Sequence, residues 1–318
     1  MSSVLQSRSS LFGDLDVKAT ADAPLGPRTW YGIGGSADLL IQPNTVDSLA
    51  TLLKRCRLSS TPFRVLGSGA NLLVADDGVD GIVILLDAPA FKEVKYNTAG
   101  DIHAMKAMAG ADMAKTLMDS VRRGLSGLTQ MAGIPASVGG AVRMNAGGAY
   151  GCIGDAVQSV TCLTRAGETV TYPADQLRFE YRATNIPDPI ILSAIFNLTP
   201  DDPIALRDRV KDIFAFKKST QPLADHSAGC TFKNPIDPVS EQRVPAGKLI
   251  DEAGLKGHAV GGAQVSPHHA NFIVTKPGAK AADVLQLLDD IRTRVFEHAG
   301  IELEEELVIW RRGEDVQP

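Results

Sequence analysis

Cysteine is scarce in this 318-residue sequence, and its four cysteines are far apart, at Cys56, Cys152, Cys162 and Cys230. None belongs to a C-x-x-C pair or has the histidine spacing that holds zinc. Apolar runs are also short: none approaches the roughly 18 residues that a membrane span needs, and the N-terminus has no uninterrupted apolar segment typical of signal peptides. We therefore expect a cytoplasmic protein with reduced thiols, no metal site and no membrane partner.

Basic residues are not in excess either. The sequence has 32 Lys and Arg against 37 Asp and Glu, a net charge of −5. A basic cluster such as Lys217-Lys218 is too small to follow a nucleic-acid backbone. We expect no nucleic-acid partner, while a small phosphorylated ligand is compatible with this charge. The oligomeric state stays open, a monomer included.

Glycine, in contrast, is concentrated in one stretch, because nine of the 30 glycines lie in residues 124–154. A dense cluster of glycine indicates backbone with positive φ, or backbone that lies directly against a ligand. A flexible linker is the alternative, but Ile134, Pro135 and Val138 are interleaved with the glycines, as in buried turns. A second glycine-rich turn, G-S-G-A-N at residues 67–71, directly follows a predicted strand. Together the two turns favour a flat, phosphate-bearing cofactor.

Hydrophobic periodicity and turn residues predict a mixture of strands and helices. Strands are predicted at residues 38–41, 63–66, 72–74, 82–86, 157–164, 170–172, 190–196, 271–274 and 307–310. Helices are predicted at residues 46–56, 111–123 and 281–299, and another begins near Pro203. The predicted fold class is α+β.

Three segments carry a resemblance to a known family. They are R-T-W-Y-G-I-G-G-S-A-D-L-L-I-Q-P (residues 28–43), L-G-S-G-A-N-L-L (66–73) and G-I-P-A-S-V-G-G-A-V-R-M-N-A-G-G-A-Y-G (133–151). The Rossmann pattern G-x-G-x-x-G is absent from both turns. The first two segments alone would indicate only the wider FAD-binding fold of the vanillyl-alcohol oxidase group. With the third, the chain resembles the UDP-N-acetylenolpyruvoylglucosamine reductases.

Five further motifs in the family's order extend the resemblance to residues 28–310. They lie at residues 179–182, 227–235, 245–257, 261–274 and 300–307. Only a short link follows Tyr181-Arg182, as in the family's shorter second type, which lacks an inserted loop with a substrate-gating tyrosine.

The resemblance implies an activity and a domain organisation. The activity is NADPH-dependent reduction of UDP-N-acetylenolpyruvoylglucosamine to UDP-N-acetylmuramate in peptidoglycan synthesis, through FAD. The expected organisation has FAD-binding subdomains over residues 15–90 and 91–219 and a substrate-binding domain over 220–306. Residues 1–14 are expected to be a disordered leader from their own composition, since the resemblance does not reach them. Residues 307–312 are expected to return to the first subdomain as a strand.

The resemblance places the FAD diphosphate against the two glycine-rich turns, where main-chain N–H groups can converge. The expected cofactor-binding residues are Gly67, Ser68, Gly69, Ala70, Asn71, Gly133, Ile134, Pro135, Ser137, Val138, Gly139, Gly140 and Asn145. Because residues 67–71 include no histidine or cysteine, we expect the FAD to be non-covalent.

The resemblance also implies three catalytic residues. Arg182 and Glu306 match the groups that hold the substrate carboxylate and polarise the developing enolate, with Glu304 as the alternative register within L-E-E-E-L. Cys230 stands at the position of the proton donor, usually serine. A thiol has a reference pKa near 8.5 and is mostly protonated at neutral pH, so it can donate a proton. A buried structural cysteine is the competing interpretation.

Weaker matches imply contacts with the nucleotide sugar. These residues are Tyr181, Lys217, Lys233, Asn234, Gln264, His269 and Asn271, while His268 has no motif match and is predicted to lie on the surface. Lysine at 217 stands where relatives have arginine. An ammonium group therefore replaces a planar guanidinium that can donate two hydrogen bonds to one phosphate.

Two other functions stay open: a flavin-dependent oxidase of the same fold, and a non-catalytic flavin- or nucleotide-binding homologue.

Overall fold

The computed structural model describes residues 8–98 and 100–314, and it contains both helices and strands. The α-helices are Ser9–Phe12 (α1), Val46–Leu58 (α2), Met113–Arg122 (α3), Val138–Arg143 (α4), Pro203–Thr220 (α5), Ala246–Glu252 (α6) and Ala281–Ala299 (α7). The first strands are Val17–Pro24 (β1), Ser36–Pro43 (β2), Phe63–Leu66 (β3), Leu72–Val74 (β4), Val79–Leu85 (β5), Val94–Thr98 (β6), Asp101–Met108 (β7), Leu125–Ser126 (β8), Gly147–Gly148 (β9) and Gly151–Cys152 (β10). The later strands are Val157–Leu163 (β11), Thr169–Pro173 (β12), Phe179–Glu180 (β13), Ala183–Thr184 (β14), Ile190–Asn197 (β15), Thr199–Pro200 (β16), Ala259–Val260 (β17), Ala263–Val265 (β18), Ile273–Thr275 (β19) and Val308–Trp310 (β20). The α+β class predicted from the sequence is confirmed.

The first sheet has the strand order β1-β2-β5-β3. Strand β5 runs parallel to both of its neighbours, and β1 is antiparallel to β2. Helix α2 covers the sheet with an apolar face and is capped by Thr45, whose side chain accepts a hydrogen bond from the Ser48 N–H at 3.1 Å. The loop at residues 67–71 therefore leaves the carboxyl end of a parallel strand, where ligands of α/β sheets bind.

The second sheet is antiparallel, in the order β12-β11-β15-β7-β6. Its central strand β15 is buried at nearly every position, as expected for a strand covered on both faces. One cluster of buried side chains includes Leu39 and Ile41 from the first sheet together with Met105 and Ala107 from the second. The two expected FAD-binding subdomains thus share one hydrophobic core.

The C-terminal part packs helix α7 against the small antiparallel sheet β17-β18-β19. Helix α7 ends at Gly300, whose φ of 67° is the left-handed conformation that commonly stops a helix. Strand β20 then pairs in parallel with β4, next to residues 67–71. Strand β20 is therefore fixed beside the glycine-rich loop, although the two are distant in sequence.

The N-terminal expectation was wrong where the structure describes it. Helix α1 buries Leu11 and Phe12 in the main core, and Asp14 forms an ion pair with Arg55 at 2.5 Å. Two adjacent large apolar side chains provide the burial that holds this segment, so residues 8–14 are not a disordered leader. Residues 1–7 lie outside the described residues.

One further feature bears on the predicted elements. The strand predicted at 271–274 begins only at Ile273, because the Phe272 N–H donates to the His269 carbonyl at 3.0 Å and closes a turn.

Within residues 8–98 and 100–314, no helix has the length and apolar character to cross a membrane.

Candidate active site

The loop at residues 67–71 presents main-chain donors. Gly69 has a φ of +67°, and a Cβ added there would lie 2.1 Å from the Arg28 carbonyl oxygen, so this position requires glycine. The Gly69 carbonyl accepts a hydrogen bond from the Trp30 N–H at 3.1 Å, which fixes the loop. No described residue accepts a hydrogen bond from the five N–H groups of residues 67–71. Consecutive free N–H groups form a concave site for an anion such as a diphosphate.

The second glycine-rich turn lies opposite this loop. Ser137 caps helix α4 by accepting a hydrogen bond from the Gly140 N–H at 3.3 Å. A Cβ added to Gly67 would lie 2.7 Å from the Ser137 Oγ, so the two turns are nearly in contact. Glycine at 67 keeps the space between them open.

A cavity of about 720 Å³ extends from these turns, within the usual volume range of ligand pockets. Gly67 and Ser68 line one side, and Ser137, Gly139 and Gly140 line the other. The free donors and the open cleft fit a phosphate-bearing cofactor such as FAD. The predicted cofactor residues that do not line this cavity are Gly69, Ala70, Asn71, Gly133, Ile134, Pro135, Val138 and Asn145.

Val138 and Asn145 do not suit the predicted cofactor contacts. The Val138 N–H is already bonded to the Ala111 carbonyl at 2.9 Å, and its side chain is buried in the core. Asn145 is buried as well, and its Nδ2 donates to the Glu180 carbonyl at 2.8 Å. Asn145 therefore ties helix α4 to the β13–β14 hairpin instead of presenting an amide to a ligand.

The sequence reasoning missed several charged residues that line the cavity. They are Asp87, Lys92, Asp112, Lys115, Asp119 and Arg143. Arg143 is held by the Ile186 carbonyl at 2.8 Å and by the Asp188 carbonyl, and burial lowers its pKa. Asp112, Lys115 and Asp119 belong to helix α3 and its N-cap, at spacings that place charges along one part of the helix. Asp87, Lys92 and Arg143 come from other segments, and no local motif joins them to helix α3.

Arg182 and Glu306 form a largely buried ion pair. Arg182 lies in the two-residue turn of the β13–β14 hairpin with a φ of +58°, an uncommon conformation for a residue with a side chain. Its Nε donates to the Glu306 Oε1 at 2.5 Å, and the two side chains are only 16% and 12% exposed. Burial raises the pKa of Glu306 above its ordinary value, although the Arg182 charge acts in the opposite direction.

The three consecutive glutamates bind different cations. Glu304 contacts Lys233, Glu305 contacts Arg292, and Glu306 contacts Arg182. Residues 304–306 run antiparallel to residues 231–233, since the Glu306 N–H donates to the Thr231 carbonyl at 2.9 Å and the Lys233 N–H to the Glu304 carbonyl at 2.8 Å. Side chains alternate along such a segment, so Glu304 and Glu306 share one face and Glu305 lies on the other. The two glutamates on that face differ in burial: the side chain of Glu306 is 12% exposed and pairs with Arg182, whereas that of Glu304 is 74% exposed.

Cys230 immediately precedes this paired segment and is a partly buried free cysteine. Burial raises the pKa of its thiol to about 12; the Glu306 charge adds to the rise and the Arg182 charge opposes it. Cys230 is next to Thr231, whose carbonyl accepts the hydrogen bond from the Glu306 N–H at 2.9 Å, so the chain brings Cys230 close to the ion pair. The thiol is therefore protonated at neutral pH, as a proton donor must be.

Four predicted substrate residues surround these groups. The Tyr181 ring lies 5.1 Å from the Arg182 guanidinium carbon, and its hydroxyl accepts a hydrogen bond from the Asn234 N–H at 3.2 Å. Lys217 is buried, and its Nζ donates to the Ala132 carbonyl at 2.6 Å. Burial and then the Arg182 charge lower the pKa of Lys217 to about 8. Lys233 completes the group through its contact with Glu304.

Two further predicted substrate residues, Asn271 and Gln264, form hydrogen bonds with main-chain groups. Asn271 is buried, with its Oδ1 accepting from the Phe232 N–H at 2.9 Å and its Nδ2 donating to the Phe232 carbonyl at 2.8 Å. It therefore holds the segment after Cys230 and is not available to a substrate. The Gln264 Nε2 donates to the Gly257 carbonyl at 2.9 Å, and no described contact joins Gln264 to Arg182 or Cys230.

The two adjacent histidines differ in environment. The His269 Nδ1 accepts a hydrogen bond from the Asn271 N–H at 3.2 Å, and burial lowers the pKa of its ring, which favours the neutral form. His268 is exposed, and its Nε2 is bonded to the Ser219 carbonyl at 2.9 Å. Neither ring contacts the Arg182–Glu306 pair directly.

Comparison with known proteins supports the same assignment over most of the chain. Residues 221–310 match the family model of the UDP-N-acetylenolpyruvoylglucosamine reductase C-terminal domain, and residues 37–172 match a model of an FAD binding domain. The UDP-N-acetylenolpyruvoylglucosamine reductase of Desulfosudis oleivorans is 40% identical, over 91% of this chain and 93% of the relative. That of Heliobacterium modesticaldum is 41% identical, over 89% and 88%. The crystal structure of the Thermus caldophilus reductase has a TM-score of 0.76 and 36% identity, and covers 93% of this chain and 99% of that one.

Proposed function

Because the chain belongs to the UDP-N-acetylenolpyruvoylglucosamine reductase family, we propose that Arg182, Cys230 and Glu306 carry out the reaction of that family in this protein. The protein is an FAD-containing oxidoreductase that uses NADPH to reduce UDP-N-acetylenolpyruvoylglucosamine in peptidoglycan synthesis. The observation that carries the proposal is the buried Arg182–Glu306 ion pair, whose Glu306 is bonded through its main chain to Thr231, the residue that follows Cys230.

The N–H groups of residues 67–71 and the turn at Ser137 would hold the FAD diphosphate. FAD, when bound, supplies the hydride that adds to the terminal carbon of the enolpyruvyl double bond. The protein must then stabilise the charge that develops on the substrate and deliver a proton to the adjacent carbon.

Arg182 is placed to bind the substrate carboxylate. Its Nε is used by Glu306, and no described residue accepts a hydrogen bond from its two Nη groups. A carboxylate can occupy both Nη groups at once, and such charge-assisted pairs are among the strongest hydrogen bonds. Because the ion pair already fixes the guanidinium, the site needs little reorganisation as negative charge develops on the enolate.

Cys230 supplies the proton. Addition of hydride to the terminal carbon leaves an electron pair on the adjacent carbon, and the thiol S–H bond breaks as the new C–H bond forms there. The resulting thiolate recovers a proton from solvent. The Arg182 cation stabilises that thiolate transiently, because an opposite charge nearby favours the ionised form.

A pair of glutamine substitutions tests these roles. Glu306→Gln should lower kcat about a hundredfold to a thousandfold, the range seen when one preorganised group is removed from an active site. Glu304→Gln changes the neighbouring exposed glutamate in the same way and should keep kcat close to the native value, because Glu304 pairs with Lys233 and not with Arg182. Steady-state NADPH oxidation with the enolpyruvyl substrate measures both variants. Equal kcat values for the two would contradict the role of Glu306.

The pKa of Lys217 gives a prediction for pH. Below about pH 8 its ammonium is charged, and as the pH rises through 8 the charge is lost. If Lys217 assists nucleotide binding, KM for the enolpyruvyl substrate should rise above pH 8, by up to about tenfold per pH unit. In Lys217→Arg the guanidinium stays protonated, so KM should be nearly constant from pH 7 to 9.5. A native profile that is flat, or a variant profile that rises equally, would refute this role.

We also propose a cytoplasmic location and the domain assignment given by the sequence. The four cysteines are free, which suits a reducing compartment. Residues 220–306 are proposed as the substrate-binding domain, since Cys230, Lys233 and Glu306 all belong to it. Residues 15–90 with 307–312, and residues 91–219, are proposed to hold FAD between them.

A further inference from the structure

Arg243 is an exposed residue that two contacts hold against segments of the proposed active site. Its guanidinium carbon lies 4.2 Å from the centre of the Tyr181 ring. Its Nη1 donates to the Asn234 carbonyl at 2.5 Å. Tyr181 adjoins Arg182, and Asn234 adjoins Lys233, so both contacts come from segments of the proposed active site. A side chain fixed in this way loses less entropy when a ligand binds.

Arg243 also differs from three neighbouring cations that form ion pairs, since Arg182, Lys233 and Arg292 each have a glutamate partner. Lys217 has no described carboxylate partner either, but it is buried and donates to the Ala132 carbonyl. No described carboxylate pairs with Arg243, and none of the described residues accepts a hydrogen bond from its Nε or Nη2. The positive charge and two donors are therefore available to an anionic ligand.

We infer that Arg243 binds the diphosphate of the nucleotide-sugar substrate. The inference rests on the proposed function, in which Arg182 binds the enolpyruvyl carboxylate. The Arg182 and Arg243 guanidinium carbons lie 5.1 Å and 4.2 Å from the centre of the same Tyr181 ring. A substrate with a carboxylate at one end of its sugar and a diphosphate at the other can reach both. Stacking on the ring leaves the edge of the guanidinium free for phosphate oxygens.

The test is a KM and kcat comparison of Arg243→Gln, Arg243→Lys and a matched control, Arg294→Gln. Arg294 is an exposed arginine of helix α7, so the control removes the same charge elsewhere in the proposed substrate-binding domain. In Arg243→Gln, KM for the enolpyruvyl substrate should rise about tenfold to a hundredfold, the usual loss of a charged hydrogen bond. KM for NADPH and kcat should change little. The KM of Arg243→Lys should lie between those of the native enzyme and Arg243→Gln, because lysine keeps the positive charge but lacks the paired N–H donors of the guanidinium. Arg294→Gln should have the native KM and kcat.

Anaerobic half-reactions separate the substrate from NADPH, which also carries a diphosphate. Reduction of the flavin by NADPH should keep its native concentration dependence in Arg243→Gln, while reoxidation should need more of the enolpyruvyl substrate. A rise in KM for NADPH alone would overturn the inference, and so would unchanged KM values for both. Failure of this inference can be distinguished from failure of the proposed function. A normal kcat in Glu306→Gln would contradict the catalytic assignment, whereas the role of Arg243 is tested by KM.

Discussion

Cys230→Ala is expected to stop reduction of the enolpyruvyl substrate while NADPH still reduces the flavin. The thiol is needed only after hydride has reached the substrate, when the adjacent carbon must gain a proton. Its pKa of about 12 keeps it protonated across the physiological range. Loss of a positioned general acid lowers a rate by about a hundredfold to ten-thousandfold. Cys230→Ser should retain substantial turnover, because a hydroxyl can also donate.

The two half-reactions separate these outcomes without oxygen. NADPH should bleach the flavin in both the native enzyme and Cys230→Ala, and the enolpyruvyl substrate should restore the colour quickly only in the native enzyme. Cys152→Ala is the matched control, because Cys152 is also a partly buried free cysteine but its Sγ is bonded to Asp155 at 3.1 Å. Normal turnover in Cys230→Ala would remove the assignment. Colour restored in the native enzyme only by air would favour an oxidase.

The elements with strong periodicity and clear end signals could be predicted from the sequence. Helix α7 has the predicted bounds of 281–299, and α2 begins at the predicted Val46 after the Thr45 cap. The short helices α4 and α6 were not predicted. Helix α4 contains Gly139 and Gly140, which are poor helix formers, and its Ser137 cap and core contacts outweigh that preference.

The convergence of the site depends on tertiary pairing that no local pattern contains. Arg182 and Glu306 are 124 residues apart and meet because residues 304–306 pair with 231–233 while β20 returns to β4. Burial then distinguishes Glu306 from Glu304, a choice that the run of three glutamates left open. For Asn145 and Asn271 the sequence predicted ligand contacts, but both side chains form hydrogen bonds with main-chain groups instead. A motif alone does not distinguish an asparagine that binds a ligand from one that holds the backbone. No sequence motif indicated Arg243, because its proposed role follows only from its contacts with Tyr181 and Asn234 in the folded chain.

Gly67→Val is expected to yield a folded protein that does not retain FAD. Gly67 has no positive φ, so a side chain there causes no backbone strain. It would instead fill the gap to Ser137, whose Oγ lies 2.7 Å from an added Cβ, and cover the free N–H groups of the loop. Crowding of the bound cofactor by the added side chain should cost as much binding free energy as overpacking costs a core, about 1–3 kcal/mol, and each 1.4 kcal/mol weakens binding about tenfold. The absorbance of bound flavin per protein should fall accordingly, while far-ultraviolet circular dichroism stays native.

The cause of that loss can be separated from a simple clash between the two turns. Gly148→Val is the control in the other glycine-rich stretch, since an added Cβ at Gly148 meets no atom within 4 Å, and it should keep its flavin. Combining Gly67→Val with Ser137→Ala removes the contacting hydroxyl but leaves the valine in the cleft. If the valine acts by occupying the space of the cofactor, the double variant should remain free of flavin. Recovery of flavin in the double variant would mean that displacement of Ser137 caused the loss, and the cleft between the two turns would then not be where the diphosphate lies.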